Sequence, residues 1–280
     1  MSATMEGRRV LVTGGSMGIG REVAGELSRQ GARVVLMGRG RKALDTALGG
    51  LVGTGHQSLP LDVSDTAAWS AAVGELDRGG PLHGLVTAAG VLGPIGRLDE
   101  VVMDEFLATI SINLVGTALA LHHALPRLRL TNGRAVTLSG GGGTAPLARY
   151  DAYAASKAAV VRLTENVAVD GEVEVNCVAP GFVATRMHAG TLTAGPEAAG
   201  ADYYRRTQAQ LAEGGFPAAE AAALVAFLLS DSAAGISGRL LSAQWDPWRE
   251  DEFRRRLRND RSLATLRRID GQLFTAGTAG

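Results

Sequence analysis

The chain has 280 residues and a formal net charge of +0, with a pI near 7.0. Its composition, 46% hydrophobic and 20% charged, allows a large packed core and excludes an intrinsically disordered chain. The balanced charge favours neither a nucleic-acid nor a membrane-surface partner, and the single cysteine excludes an intrachain disulfide. With no secretory apolar core and no apolar run approaching about 20 residues, we expect a soluble cytoplasmic protein.

Short apolar runs alternate along the chain with longer amphipathic ones. Seven runs predict strands, at 8–14, 33–37, 57–61, 83–90, 133–140, 173–179 and 238–243. Helices are predicted from Ile19 onward and then near 41–48, 65–77, 103–128, 152–169, 202–213 and 217–230. This alternation predicts βαβ units and an α/β fold with a mostly parallel sheet and helices on both faces. This strand–helix alternation is interrupted in the Gly/Ala/Thr-rich segment 184–201 and in the Arg-rich end of the chain.

A glycine-rich turn, VTGGSMGIG at 12–20, follows the first predicted strand. Its glycines have the spacing G-x-x-x-G-x-G, which lets the backbone turn tightly and approach a pyrophosphate at the N-terminus of the next helix. A turn without a ligand is the alternative, but the strand–turn–helix setting is what a dinucleotide site needs. The predicted cofactor contacts of this turn are Gly14, Ser16, Met17, Gly18, Ile19 and Gly20.

The end of the second strand, VVLMGRG, is where a ribose-reading residue is expected. A carboxylate there would pair with the 2′-OH of NAD and repel a 2′-phosphate. Gly38 and Arg39 stand there instead, and arginine can pair with a phosphate. This favours NADP, with NAD possible if Arg39 is only a solvated surface arginine. Asp62 and Val63, which end the third strand, are expected near the adenine.

Among 28 basic residues only Lys42 and Lys157 are lysines, and Lys157 stands four residues after Tyr153. On a helix this spacing puts both side chains on one face. A phenol has a reference pKa of about 10, and a nearby cation lowers it, so the tyrosine can exchange a proton with a carbonyl or an alcohol. A compact ammonium suits such a site better than a planar guanidinium. The alternative is an ordinary exposed helical lysine.

Jointly, the motifs resemble those of the short-chain dehydrogenase/reductase family over about residues 7–243. They are TGGSMGIG (13–20), LDV (61–63), AAG (88–90), INLVG (112–116), YAASK (153–157) and APGFVAT (179–185). The resemblance implies a Rossmann-like, doubly wound seven-stranded sheet and hydride transfer between a nicotinamide and a carbonyl or alcohol. It also implies a homodimer or homotetramer built on the two long helices near 103–128 and 152–169.

The resemblance assigns roles to single residues. Tyr153 becomes the acid/base, and Lys157 binds the nicotinamide ribose and tunes the tyrosine. Asn113 orders a water in the proton relay, and Thr185 contacts the carboxamide. The further implied cofactor contacts are Ala89, Gly90, Pro180, Gly181 and Val183. Segment 184–214 is expected to form a substrate lid.

The chain departs from the family's pattern in four places. Thr87 and Ala88 replace paired asparagines, and Met17 replaces a basic residue common in NADP enzymes. The usual C-terminal Asp-Gly-Gly is replaced by SAQWDPW at 242–248. The catalytic serine usually lies 13 residues before the tyrosine, but Ser139 lies 14 before it and is followed by Gly140. We expect Ser139 to supply the second hydroxyl donor, because the flexible glycines after it can absorb one extra residue.

We therefore expect one domain over 1–244, including the lid, and an Arg-rich extension over 245–280. The extension is expected to pack on its own or a neighbouring subunit rather than to cap the substrate with Trp245 or Trp248. The expected activity is that of an NADP(H)-dependent ketone reductase or alcohol dehydrogenase on a small carbonyl, with secondary metabolism and sugar or cyclitol chemistry left open. An NAD-linked oxidative dehydrogenase and a non-catalytic cofactor-binding protein are the alternatives. The chain has no metal-ligand motif.

Overall fold

A computed structural model describes residues 4–267. These form a seven-stranded, wholly parallel sheet in the order β3-β2-β1-β4-β5-β6-β7, which confirms the predicted fold. The strands are β1 (Arg9–Thr13), β2 (Arg33–Gly38), β3 (Gln57–Pro60), β4 (Gly84–Thr87), β5 (Arg134–Leu138), β6 (Glu174–Ala179) and β7 (Leu240–Ser242).

Helices connect these strands and cover both faces of the sheet. They are α1 (Gly18–Arg29), α2 (Arg41–Leu48), α3 (Thr66–Arg78), α4 (Met103–Ile110), α5 (Gly116–Arg129), α6 (Asp151–Val169), α7 (Arg186–Ala199), α8 (Ala201–Ala212), α9 (Ala218–Leu229) and α10 (Asp251–Asn259). A π-helical turn, Ser111–Val115, joins α4 to α5. Segment 184–201 is mainly helical in the structure, and its alanines favour helix. Gly195, with a φ of 78°, breaks the helical backbone of α7 just before Pro196.

The sheet buries side chains on both faces. Val10 and Val12 lie in one core cluster and Leu11 lies in the other, as the alternation of a strand requires. The first cluster contains the apolar residues of α1 and α9, and the second contains those of α3 and α5. Burial on both faces explains why the strands are continuous apolar runs in the sequence.

The register of the central strands positions the candidate site. Thr13 pairs with Thr87, and Thr87 pairs with Thr137, so β1, β4 and β5 end almost level. The strand order also reverses between β1 and β4, which is where open α/β sheets form a ligand crevice. The loops after these three strands therefore meet at one edge of the sheet.

A continuous helical stretch, Met103–Arg129, runs through α4, the π-helical turn and α5. It has 27 residues, and an 18-residue window within it has a mean hydropathy of 1.3, so it is long and apolar enough to cross a membrane, contrary to the expectation from the sequence. Core helices of soluble proteins pass the same test, and 33% of its most apolar window is buried. Met103 and Leu107, one helical turn apart, are exposed, so this helix carries an apolar outer face.

The described part of the C-terminal extension packs on its own chain. Trp248 and Leu257 are 4% and 0% exposed and share a core cluster with Phe227, whose ring centroid lies 5.7 Å from that of Trp248. Trp245 is exposed. Residues 268–280 lie outside the described residues, and the division of the chain at 244 stays a prediction.

The same segment covers the free edge of β7. The Leu240 amide donates to Ala264 O at 2.7 Å. The buried guanidinium of Arg239 donates to Leu257 O at 2.8 Å and to Arg261 O at 2.6 Å. An uncovered strand edge offers unpaired backbone groups to other chains, so this cover protects the sheet.

Leu257→Ala is expected to destabilise the protein by about 2–5 kcal/mol, because it leaves a cavity beneath α10. For a chain of this size that lowers the melting temperature by roughly 5–15 °C. Arg256→Ala, at the exposed neighbouring position, is the matched control in a thermal melt. An unchanged melting temperature together with a raised substrate KM would contradict the packing role and favour a cap over the substrate.

Candidate active site

The glycines of the turn after β1 are required by close backbone contacts. A Cβ atom built on Gly14 would lie 2.6 Å from Ala89 N, and one on Gly20 would lie 2.4 Å from Gly14 O. Gly18 has a φ of 54°, which side chains rarely adopt. The turn is therefore held against the end of β4, with backbone rather than side chains at its surface.

The N-terminus of α1 is free to bind an anion. Met17 caps the helix without a side-chain hydrogen bond, and the first backbone bond into this turn runs from Arg21 N to Met17 O. Within residues 4–267 the amides of the first helical turn, including Ile19, have no backbone partner. These amides and the helix dipole fit the pyrophosphate of a dinucleotide.

The ends of β2 and β3 lie side by side at the predicted adenosine end. Leu61 N donates to Gly38 O at 2.8 Å. Asp62 accepts two hydrogen bonds from Ser64, from its hydroxyl at 2.7 Å and its amide at 3.0 Å, which lower the pKa of the Asp62 carboxyl with help from the charge of Arg39. Val63 is buried and packs against Gly116, the first residue of α5.

Arg39 is exposed, and no carboxylate of the described residues lies within ion-pair distance of it. A Cβ atom built on Gly38 would lie 3.7 Å from Ser16 Oγ. The backbone at Gly38 thus lies beside the glycine turn, and the residue that follows it is an arginine and not a carboxylate. The choice between NADP and NAD at this position stays a prediction.

The segment after β6 approaches the same turn. Gly181 has a φ of 82°, and a Cβ atom built on it would lie 2.9 Å from the Phe216 ring. A Cβ atom built on Gly18 would lie 3.6 Å from Thr185 Cγ2. The structure therefore brings Thr185 to the N-terminus of α1. Pro180 and Val183, a few residues earlier in the chain, are buried.

Lys157 is buried beneath the carboxyl ends of the central strands. Its ammonium donates to Leu138 O at 3.0 Å, and burial lowers its pKa to about 8, partly offset by Cys177. A Cβ atom built on Gly90 would lie 3.5 Å from Lys157 Nζ and 3.3 Å from Asn113 Oδ1. Gly90 thus leaves the space in which the lysine and the asparagine approach each other.

Tyr153 is 9% exposed, and its hydroxyl has no hydrogen-bond partner among the described residues. The ammonium of Lys157 lies 5.7 Å from its ring centroid. The expected lowering of the phenol pKa is wrong for this structure: burial raises the pKa of Tyr153, and the neighbouring phenol of Tyr203 adds to the rise. The tyrosine is therefore held in its protonated form.

Asn113 is completely buried in the π-helical turn and joins the loop after β4 to α6. Its Nδ2 donates to Val91 O and to Ser156 Oγ, both at 2.9 Å, and its Oδ1 accepts from Val91 N at 2.8 Å. This side chain is fully engaged within the protein, so its role toward a water stays a prediction. Thr87 Oγ1, where the family has an asparagine, is buried without a described partner.

Ser139 follows β5 and is 4% exposed. Its hydroxyl lies 3.4 Å from Lys157 O and against Gly143. Gly140 is the residue next to the phenol, because a Cβ atom built on it would lie 2.3 Å from Tyr153 Oη. The role of Ser139 as the second donor stays a prediction, and it requires the hydroxyl to rotate away from Lys157 O.

If Ser139 supplies that donor, Ser139→Ala is expected to lose roughly 10²–10³ in kcat, the usual effect of removing one such hydrogen bond to a developing oxyanion. Cofactor affinity should be unchanged, and Thr144→Ala serves as the comparison because Thr144 is the next hydroxyl along the chain. A near wild-type kcat for Ser139→Ala would remove the serine from the reaction.

Sequence reasoning missed the residues that close the site. Tyr150 is completely buried, and its hydroxyl donates to Thr191 Oγ1 at 3.0 Å; burial raises its pKa to about 12. Its ring also packs against that of Tyr203, with centroids 4.9 Å apart. The partners lie 41 and 53 positions along the chain, so no local spacing indicates them, although Tyr150 lies three residues before Tyr153.

Comparison with known proteins gives a consistent result. Residues 14–243 match a family model described as an enoyl-(acyl carrier protein) reductase. The levodione reductase of Leifsonia aquatica is 32% identical over 247 residues, which cover 84% of this chain and 91% of that protein. The gluconate 5-dehydrogenase of Gluconobacter oxydans is 34% identical over 194 residues, which cover 66% and 74%.

Solved structures are similar over the same region. The crystal structure of levodione reductase has a TM-score of 0.77 and 31% identity, covering 85% of this chain and 96% of that one. An actinorhodin polyketide ketoreductase with NADPH has a TM-score of 0.74 and 27% identity, covering 86% and 97%. An NAD⁺-bound xylitol dehydrogenase has a TM-score of 0.77 and 25% identity, covering 85% and 98%. The latter two differ in their bound cofactor.

Proposed function

Because the chain belongs to the short-chain dehydrogenase/reductase family and is an NAD(P)-dependent oxidoreductase of alcohols and carbonyls, we propose that it is an NADP(H)-dependent ketone reductase. The observation that carries this proposal is the pair Tyr153 and Lys157. The phenol is buried, its hydroxyl has no hydrogen-bond partner in the part of the chain that the structure describes, and a buried lysine lies on the same helix. A bound nicotinamide supplies the hydride for such a reduction.

Tyr153 donates the proton to the carbonyl oxygen. Burial raises the pKa of Tyr153, so the phenol carries its proton at neutral pH and has one to donate. Lys157, held to the end of β5, places a positive charge near the phenolate left by that transfer. Ser139 and Asn113 take the donor and proton-relay roles that the family's pattern implies.

The cofactor is held by residues at the carboxyl edge of the sheet. The open amides of α1 would bind the pyrophosphate, and Arg39 would pair with the 2′-phosphate. Asp62 and Val63 would contact the adenine. Ala89, Gly90 and the segment Pro180–Thr185 would hold the nicotinamide half.

Arg39→Asp is expected to raise the KM for NADPH by roughly 10- to 100-fold, since it removes a charge-assisted hydrogen bond. The KM for NADH should change much less, because NADH has no 2′-phosphate. Arg255→Asp, on the exposed face of α10 at the opposite end of the sheet, makes the same charge change as a control. Equal effects of Arg39→Asp on both cofactors would place Arg39 away from the ribose.

A ketone screen with NADPH and NADH, followed by nicotinamide absorbance, tests the proposed activity directly. Faster reduction with NADPH supports it. Oxidation of alcohols with NAD⁺ at higher kcat/KM favours the NAD-linked alternative instead. Tight cofactor binding without turnover of any carbonyl would favour a non-catalytic cofactor-binding protein.

We also propose that the protein is a cytoplasmic homodimer or homotetramer. The outer faces of α4 and α6 support the subunit contact. This surface exposes three apolar side chains in or just before α4, namely Leu98, Met103 and Leu107. A groove between α4 and α6 is lined by Phe106 and Ala155. Exposed apolar surface of this kind marks protein contacts.

A further inference from the structure

A layer of apolar and aromatic side chains covers Tyr153. Tyr150 and Ala199, 0% and 1% exposed, form one cluster with it. The side chains packed against this cluster are Leu92, Ile95, Leu147, Met187, Tyr203 and Tyr204. They come from three separate segments, namely the loop after β4, the loop before α6 and the lid helices α7 and α8, so a substrate carbonyl at Tyr153 is enclosed from several sides.

The lid is fastened over this layer. The hydrogen bond from Tyr150 to Thr191 joins the start of α6 to α7, and both residues are completely buried. A Cβ atom built on Gly190 would lie 3.7 Å from Leu92 and 3.9 Å from Ile95, so α7 directly contacts the β4 loop. A substrate beneath the lid is thus separated from water.

Two cations lie over aromatic rings of this layer in the described residues, and neither is an unengaged charge inside it. Arg206 lies 5.8 Å from the ring centroid of Tyr203, on an exposed side chain. Lys157 is bonded to Leu138 O. Burial and the phenol of Tyr203 raise the pKa of Tyr153, and no carboxylate or guanidinium of the described residues contributes to that shift. His188, also on α7, is half-buried with its ring stacked on Phe182, and burial lowers its pKa, which favours the neutral form.

We propose that the substrate is a neutral, largely apolar carbonyl compound and that this site excludes carboxylated and phosphorylated ketones. This inference rests on the proposed reductase function. An anion closed under the lid would lose its hydration without gaining a counter-charge, whereas an apolar ring or chain gains by contact with the layer. The same layer therefore provides both the dry setting for proton transfer and the selection of the substrate.

Matched pairs of ketones test the inference with the wild-type enzyme. Each pair consists of a keto acid and its methyl ester, on a cyclohexanone, an aryl ketone and a linear ketone, assayed with NADPH and with NADH. We expect kcat/KM for the ester to exceed that for the acid by roughly 100-fold or more, because an unpaired charge is costly to bury. Met187→Arg, which brings a guanidinium to the layer, should lower this ester-to-acid ratio at least tenfold. Leu130→Arg, at the exposed C-terminal end of α5, should leave the ratio unchanged.

The outcomes separate the two proposals. Similar kcat/KM for acids and esters would overturn the neutral-substrate inference and leave the reductase function intact. A higher kcat/KM for the acids than for the esters would also overturn the neutral-substrate inference. Failure to reduce any ester or acid with either cofactor would overturn the reductase function and the inference together.

Discussion

Tyr153→Phe is expected to lose roughly 10²–10⁴ in kcat, the range that a positioned general acid supplies. The variant keeps the ring within the covering layer and removes only the hydroxyl, which has no partner in the described protein. Cofactor affinity and the melting temperature should therefore stay close to those of the wild type.

The matched control is Tyr204→Phe, which removes a hydroxyl from the same layer on α8. It should reduce kcat only a few fold. A Tyr153→Phe variant with near wild-type kcat would show that another group donates the proton, and the assigned chemistry would be wrong.

Gly140→Ala is expected to lose roughly 100-fold in kcat, because displacing a reacting group by about 1 Å can cost that much. The new Cβ atom would lie 2.3 Å from Tyr153 Oη, so the phenol or the loop must move. Gly140→Ser should be no more active, since its Cβ atom meets the same contact.

Gly141→Ala provides the control for this prediction. A Cβ atom built there would meet only Leu147, at an ordinary contact distance of 3.7 Å. It should keep near wild-type kcat. If Gly140→Ala and Gly141→Ala are equally active, the phenol tolerates movement and the glycine at 140 has no catalytic significance.

Local spacing made much of the fold and the site predictable. The turn glycines, the pair Tyr153 and Lys157, and Arg39 each belong to a short stretch whose geometry follows from one strand or one helix. The seven strands were predictable because burial on both faces makes them continuous apolar runs.

Contacts between distant segments were not predictable in this way. The bond between Tyr150 and Thr191 depends on how α7 docks, and the alanine content of that segment does not determine its docking. The pKa shift of the Tyr153 phenol was predicted with the wrong sign, because the sequence places Lys157 on the same helical face but does not show how deeply the surrounding segments bury Tyr153. Burial outweighs a cation that lies 5.7 Å from the ring centroid.

Deuterium transfer tests the proposed reaction most directly. The enzyme would be given NADPH labelled with deuterium at both positions of the nicotinamide C4, together with a neutral ketone, and the alcohol would be analysed by mass spectrometry. We expect one deuterium on the carbinol carbon of the product from the wild type and almost no product from Tyr153→Phe. Alcohol formed without the label, or labelled alcohol formed equally fast by Tyr153→Phe, would contradict hydride transfer assisted by this tyrosine.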